Sequence, residues 1–369
     1  MGNSEAVARS GRQSPVTIAP SKRKAPPERN AARSRRLIAV LAPLILLSIT
    51  LAVVIGPVEI APLTVWEIVF GKVTGAEGNW SNAQANIVWL IRFPRVLLAG
   101  VVGAGLAVIG VVMQAVTRNP LADPFLLGIS SGAALGAVSV LLIGVFAGLG
   151  IFALSVGAFL GAMLAFVLVF SLALQQGRLL PTRMILAGVA ASFMFSSVTS
   201  FITLSDDSSG AARRVLFWML GGLSGARWED LTLPALALVL GIIYLMGQSR
   251  ALNALIIGDE TATTLGIDVH KLRRRLLVVT SLLTGLIIAV SGTIGFVGLM
   301  MPHIVRLIVG TDHRRVLPVS LLAGALYLIW VDVIARTLFA PEEIPVGIIT
   351  SFCGAPFFLW LMRRSKGAL

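Results

Sequence analysis

The sequence is poor in charged residues and in cysteine. Aspartate, glutamate, lysine and arginine make up 13% of the 369 residues, whereas hydrophobic residues make up 56% and the mean hydropathy is +0.91. Soluble globular proteins contain about 25% charged residues, so this chain lacks the polar surface that they need. The same composition excludes an intrinsically disordered chain and a collagen-like chain, and a single cysteine, Cys353, excludes a disulfide scaffold. The composition indicates a polytopic membrane protein.

Motifs for ATP binding, metal binding and acid–base chemistry are also missing. No G-x-x-x-x-G-K-[ST] stretch occurs, so the chain has no P-loop of its own. The three histidines, His270, His303 and His313, lack the spacing of a metal site, and we interpret them as structural. Asp332 is the one clear acid in an apolar segment, and Arg336 follows it at helical spacing, which predicts an intrahelical ion pair.

Apolar segments recur along most of the chain. They lie near residues 37–58, 94–117, 126–145, 148–174, 184–204, 232–249, 276–293, 296–310, 316–338 and 346–362. A membrane-spanning helix needs about 20 residues, so these segments predict ten helices, of which the eighth is short. Glycines in residues 292–298 predict a broken segment between two spans, tolerated where protein or a cavity shields its backbone.

The distribution of basic residues predicts the orientation and the domain limits. Nine of the 30 lysines and arginines lie in residues 1–36, whose composition predicts a disordered cytoplasmic tail rather than a nucleic-acid-binding arm. An even number of spans puts both termini inside, with 22 basic residues inside and 7 outside. We expect a membrane domain at 37–364 and a short cytoplasmic end at 365–369.

Two stretches carry long, ordered motifs. The first reads RFPRVL at 92–97, NPLADP at 119–124 and LGISSGA at 127–133. The second reads GTIGFVGLMMPH at 292–303, ARTL at 335–338 and EIPVG at 343–347. Over residues 37–364 the chain resembles the FecCD family of ABC-transporter permeases, which import iron–siderophores, haem and cobalamin.

The resemblance implies a fold and a function. The fold is an all-α polytopic membrane protein with ten transmembrane helices and an inverted internal repeat, as in type II ABC importer permeases. The function is a non-enzymatic permease subunit for a ferric siderophore or similar large metal chelate, with haem and cobalamin as alternative cargoes. No cofactor or metal is expected in this chain, because ATP and Mg are bound by a partner. An ion-coupled secondary transporter and a membrane enzyme are disfavoured, since intramembrane acids and clustered His, Asp or Glu are scarce.

The resemblance also implies partners and a location. We expect two ATPase subunits, a second permease chain (identical or similar), an external or periplasmic substrate-binding protein and membrane lipid, but no nucleic acid. The expected location is the bacterial cytoplasmic membrane.

Three groups of residues are candidates for function. Small polar residues expected to line the passage are Gln114, Ser130, Ser131, Ser192, Ser196, Ser197, Thr199 and Ser200. Residues resembling the family's coupling helix, which sits in a cleft of the ATPase, are Gly258, Asp259, Glu260, Ala262, Leu265 and Gly266. Arginines at positions where the family docks its binding protein are Arg92, Arg95 and Arg336. For the serines, hydrogen bonding back to the helix is the alternative; for the arginines, snorkelling to the headgroups or pairing with Asp332.

Overall fold

Apolar helices dominate the computed structural model, which describes residues 27–175, 178–206, 208 and 210–365. In chain order these helices are α1 (Pro27–Val54), α2 (Pro62–Thr74), α3 (Asn82–Asn86), α4 (Phe93–Thr117), α5 (Ile129–Val138), α6 (Ala153–Ala173), α7 (Pro181–Leu204), α8 (Ala211–Leu220), α9 (Trp228–Gly247), α10 (Ser249–Ile257), α11 (Asp259–Thr264), α12 (Val269–Ser291), α13 (Val297–Val309), α14 (His313–Thr337) and α15 (Val346–Ser365). Short π- or 3₁₀-helical turns lie at Ile87–Arg92, Pro124–Leu127, Ser139–Ile143 and Ala147–Phe152. A minimal antiparallel hairpin pairs β1 (Leu174–Gln175) with β2 (Arg178–Leu179).

The predicted all-α membrane architecture is confirmed. Within the described residues, eight helices are long and apolar enough to cross a membrane, and two shorter apolar helices lie at Ile129–Ile143 and Val297–Val309. These ten helices fall on the ten apolar segments of the sequence. The inverted repeat stays a prediction.

The predicted boundary between the tail and the first helix, at residue 36, is wrong. Helix α1 begins at Pro27, so residues 27–36 belong to the first helix and not to a disordered tail. Arginine and alanine are good helix formers, and the hydrophobic run that follows continues the same helix. Residues 1–26 and 366–369 lie outside the described part of the chain.

Helix α4 runs through the centre of the bundle and is buried along most of its length. It packs against α9, α12, α13 and α14, and glycines allow the closest of these approaches. A Cβ atom at Gly103 would overlap the Gly324 carbonyl of α14, and one at Gly110 would overlap the Gly298 carbonyl of α13. Small residues let membrane helices pack backbone to backbone, so α4 forms the rigid core of the fold.

The predicted break between two spans is present. Helix α12 ends at Ser291, residues 292–296 are irregular, and α13 is only 13 residues long. Gly292 has φ 64° and approaches the backbone of Trp218 and Gly221, where a Cβ would clash. The irregular backbone of residues 292–296 therefore packs against α8, and protein shields its polar groups.

We call the side that holds α11 the inner side and the opposite side the outer side, following the orientation that the charge distribution predicts. The carboxyl end of α4 and the amino ends of α12 and α14 lie on the inner side. The amino end of α4 and the carboxyl ends of α1 and α14 lie on the outer side.

Candidate translocation passage and coupling surface

A cavity of about 480 Å³ lies between α5, α7, α8 and the break after α12. Its lining consists of small, hydroxyl-bearing and aliphatic residues: Ser130, Ser131, Ala134, Ser196, Thr199, Ser200, Thr203, Leu204, Ala212, Val215, Leu216, Met219 and Thr293. No charged side chain belongs to this set of described residues. A surface of this kind lets a large solute pass without holding it by ion pairs.

The hydroxyl groups of the passage fall into two classes. Ser131 donates to the Gly128 carbonyl at 2.9 Å and Thr199 to the Phe195 carbonyl at 2.9 Å, so these two are bonded back to their own segments. The hydroxyls of Ser130, Ser196 and Ser200 form no hydrogen bond within the described part of the protein. Their hydroxyls are therefore available to a solute in the cavity.

Three of the expected passage residues lie elsewhere. Gln114 is buried, donates to the Gly298 carbonyl at 3.1 Å and accepts from Arg306, so it links α4 to α13. Ser197 donates to the Phe193 carbonyl at 2.8 Å and lies outside the cavity lining, as does Ser192. Gln114 and Ser197 therefore lie outside this cavity, because α4 contributes no residue to its described lining and Ser197 lies on another face of α7.

Helix α8 separates this cavity from a second one, of about 470 Å³, on the outer side. Ala212, Val215, Leu216 and Met219, at helical spacing, face the passage. Arg214, Phe217 and Trp218 face the outer cavity. Gly210 and Gly221 flank the helix with φ values of 96° and 72°. Helix α8 was not among the candidates from the sequence, although its amphipathic pattern, with two arginines followed by an apolar run, was a usable signal.

The three outer arginines are internal residues. Their exposed fractions are 5% for Arg92, 6% for Arg95 and 8% for Arg336. Arg92 donates to the carbonyls of Val53, Val54 and Val58 at 2.8–3.0 Å. Val53 and Val54 are the last residues of α1, where a positive charge is favoured, and Val58 lies in the segment that follows.

Arg95 and Arg336 share the buried carboxylate of Asp332. The Arg95 Nε atom lies 3.0 and 3.1 Å from the two Asp332 oxygens, and its Nη1 lies 2.8 and 3.0 Å from those of Glu343. Arg336 lies 3.6 Å from Asp332, which confirms the predicted intrahelical pair, and it donates to the carbonyls of Ile55 and Ala52.

Arg92, Arg95 and Arg336 are therefore internal residues in this structure, and their docking to a binding protein stays a prediction. Each one is engaged by backbone carbonyls or carboxylates inside the protein. The positive-inside rule assigns a residue to a side of the membrane, but it does not say whether the residue is buried.

The six expected coupling residues lie together on the inner side, around α11. Gly258 precedes the helix with φ 149°, and Gly266 follows it with φ 78°, so both glycines set its limits. Leu265 is 66% exposed, and Ile257, which the sequence analysis missed, is 71% exposed. Ala262 is fully buried and so anchors α11 to the bundle instead of facing a partner. Exposed aliphatic side chains at an aqueous surface indicate a protein contact.

An ion pair ties α11 to the bundle. Arg273, which is 2% exposed, donates to both Asp259 oxygens at 3.1 and 2.8 Å, and Arg118 lies 3.7 Å from the same carboxylate. Burial raises the pKa of the Asp259 carboxyl, but the hydrogen bond and charge of Arg273 and the charge of Arg118 outweigh it and lower that pKa overall. A lowered carboxyl pKa adds stability above the unfolded value of about 4, and this is lost as the pH falls through the folded value.

Blocking the passage tests its position. We expect Ser200→Trp to abolish solute uptake, because Ser200 has a free hydroxyl in the cavity and an indole would fill much of that space. The matched control is Ser171→Trp, since Ser171 is exposed on α6 and outside the cavity. Uptake into cells and the amount of protein in the membrane are measured for both. Normal uptake in Ser200→Trp at normal abundance would contradict the assignment.

Ten apolar helices among the described residues, a hydroxyl-lined cavity between α5, α7 and α8, and an exposed inner helix are typical of a membrane permease. The chain belongs to the FecCD transport family, which its sequence matches over residues 44–364. It is 44% identical over 294 residues to the hemin transport system permease protein HmuU of Yersinia pestis, covering 78% of this chain and 87% of that protein. It is 43% identical over 277 residues to the cobalamin import system permease protein BtuC of Halobacterium salinarum, covering 75% and 73%.

A solved structure has the same fold. It is described as an inward-facing conformation of a putative metal-chelate type ABC transporter, with a TM-score of 0.78 and 30% sequence identity. The match covers 89% of this chain and 99% of that one. The protein is thus an ABC importer permease of the FecCD type, and the predicted family is confirmed.

Proposed function

We propose that this chain forms the passage for a preassembled metal chelate, with the metal as part of the cargo. The observation that supports this is the cavity between α5, α7 and α8, with the free hydroxyls of Ser130, Ser196 and Ser200. Hydroxyls both donate and accept hydrogen bonds, so they can contact the amide or hydroxamate rim of a chelate and release it again. Asp332, the buried acid that an ion-coupled carrier would need, is held by Arg95 and Arg336 instead.

The chelate we propose first is a ferric siderophore, with haem and cobalamin as the alternatives. In a ferric siderophore and in cobalamin, the metal is already saturated by its own chelator and needs no ligand from the protein. Haem iron takes His, Cys, Met or Tyr as axial ligands, and of these the described passage lining contains only Met219. The names of the relatives keep cobalamin and haem among the candidates.

Uptake measurements distinguish these cargoes. Labelled ferrichrome, cyanocobalamin and haemin are offered to a deletion strain complemented with this chain and a candidate P-loop ATPase subunit. We expect uptake of one saturated chelate that disappears when the ATPase is removed. Uptake that survives removal of the ATPase would contradict the proposed function and favour a secondary carrier.

The α11 segment, residues 258–266, is proposed to bind the ATPase together with Ile257. We expect Leu265→Asp to weaken binding of the ATPase by about tenfold or more, because it places a charge in an apolar contact. The control is Leu121→Asp, at an exposed leucine in another inner turn. Co-purification and affinity of the ATPase are measured in detergent. Unchanged affinity in Leu265→Asp would move the ATPase contact elsewhere.

The remaining partners are proposed in the same way. Phe193 and Phe201 on α7 and Phe352 on α15 are exposed aromatic side chains, and we propose that a second permease chain covers part of this surface.

An external substrate-binding protein would deliver the chelate to the outer side, and both termini would be cytoplasmic. Native mass spectrometry of the purified complex tests the pair, and one permease chain per two ATPase chains would contradict it.

A further inference from the structure

The buried Arg273 joins three elements on the inner side of the bundle. It lies in the second turn of α12, and its Nε donates to the Val116 carbonyl in the last turn of α4 at 3.1 Å. Its two Nη atoms donate to the carboxylate of Asp259, the first residue of α11. One guanidinium thus links α4, α11 and α12.

Both bonding partners favour a positive charge at this position. Val116 is among the last residues of α4, whose carbonyls have no partner within the helix and carry the negative end of its dipole. The carbonyls of Gln114 and Ala115 are satisfied by the amides that follow the helix, whereas that of Val116 is satisfied by Arg273. The carboxylate of Asp259 completes the environment, in a bidentate geometry suited to arginine.

Among the described residues of α11, Asp259 is the one whose side chain forms hydrogen bonds with another element of the protein. The hydroxyls of Thr263 and Thr264 return to carbonyls of α11 itself. The preceding helix, α10, is held separately, because Asn253 donates to Asp312 at 2.8 Å and accepts from the backbone amide of His313 at 2.9 Å. Movement of α11 therefore reaches the bundle through the ion pairs of Asp259 with the buried Arg273 and the more exposed Arg118, through the packing of Ala262, and through the adjoining helices α10 and α12.

The two helices that Arg273 joins to α11 lead along the chain to the passage. Helix α4 is followed by an inner turn and then by Ser130 and Ser131 of α5, and α12 is followed by Thr293. These three residues line the cavity. Both helices that Arg273 joins to α11 therefore continue along the chain to residues of the cavity lining.

We propose that Arg273 is a positioning residue that transmits displacement of α11 to α4 and α12 and so couples the ATPase to the passage. The inference rests on the proposed function. Arg273 is buried and cannot touch the ATPase, so its loss should leave assembly and ATP hydrolysis in place. It should instead lower the amount of chelate imported for each ATP hydrolysed.

The test uses proteoliposomes that contain this chain in complex with the P-loop ATPase that supports uptake. The chelate is the one that the uptake measurements identify, and it is supplied with an external binding protein. For Arg273→Gln we expect import per ATP to fall by about tenfold, a size typical of coupling between sites. Arg273→Lys keeps the charge but cannot span Val116 and both Asp259 oxygens, so we expect an intermediate value. The matched control is Arg275→Gln, two residues along α12 and exposed, which should stay within about twofold of the unmodified protein.

A second variant separates coupling from folding. Asp259→Asn removes the same ion pair from its exposed end, and we expect it to lower import per ATP as Arg273→Gln does. The double variant should lower import per ATP by less than the product of the two single effects, because the pair between Arg273 and Asp259 is lost in both single variants.

The inference would be overturned if Arg273→Gln imported within about twofold as much chelate per ATP as the unmodified complex. It would also be overturned if Arg275→Gln lowered import per ATP as much as Arg273→Gln does. Loss of folding in Arg273→Gln with normal coupling in Asp259→Asn would overturn it too. Absence of ATP-driven import by the unmodified complex would instead reject the proposed function, and the inference with it.

Discussion

Arg95→Glu is expected to unfold the outer end of the bundle, not merely to remove a surface charge. The new carboxylate would face the carboxylates of Asp332 and Glu343, and Asp332 would keep only the 3.6 Å contact with Arg336. Removing one partner of a buried ion pair typically costs about 3–5 kcal/mol, and reversing its sign adds repulsion. We therefore expect little folded Arg95→Glu protein in the membrane, and a lower unfolding temperature for any that is purified.

Arg214→Glu is the matched control for this prediction. Arg214 also lines the outer cavity, but it is exposed and donates only to Ser208 within the described residues. The same charge reversal should leave abundance and unfolding temperature close to those of the unmodified protein. If Arg95→Glu were as stable as the control and lost only its association with an external binding protein, Arg95 would be a docking residue and the internal anchor would be refuted.

The helices of this protein were largely predictable from the sequence, because membrane spans are set by length and hydrophobicity. Each of the ten apolar segments needs only enough nonpolar residues to cross a bilayer, and this requirement is local. The break at Gly292 was predictable for the same reason, since glycine and threonine interrupt an apolar run. The start of α1 was not, because residues 27–36 are polar and helical at once, and polarity alone suggested a tail.

Burial of polar groups was the least predictable property. Residues 273–275 are three consecutive arginines, and only the packing of α12 against α4 decides that Arg273 points inward. Gln114 likewise could have faced a passage or a neighbouring helix, and its bond to Gly298 settles the choice. The sequence pattern of one segment predicts which residues share a face of its helix. Which other helix packs against that face depends on segments far away in the chain.

The boundary between the two cavities is formed by α8 together with the break after α12, and neither segment alone predicts it. Its passage-facing residues are aliphatic and its opposite face carries Arg214 and two aromatic rings, so each face suits a different cavity. The break after α12 supplies Thr293, whose hydroxyl donates to the Met219 carbonyl near the end of α8. The boundary between the two cavities is thus held by a short helix and an interrupted one.

We expect Gly103→Ala to destabilise the contact between α4 and α14. A methyl group there would overlap the Gly324 carbonyl, which is backbone and cannot rotate away, so the two helices would have to separate. Overpacking in a dense core costs about 1–3 kcal/mol. We expect Gly103→Ala to lie at the upper end of that range, because α14 carries Asp332 and Arg336 and any displacement also strains their ion pairs.

Gly100→Ala is the control, in the same helix and one turn away. A Cβ at Gly100 would meet only the Ile329 side chain, at 3.5 Å, which is ordinary van der Waals contact. Because alanine favours a helix over glycine by about 1 kcal/mol, this variant should be as stable as the unmodified protein or more so. Thermal unfolding of both purified variants gives the comparison, with opposite signs expected. Equal unfolding temperatures would mean that α4 and α14 can separate without cost, and α4 would then not be the rigid core on which the passage and the outer anchor depend.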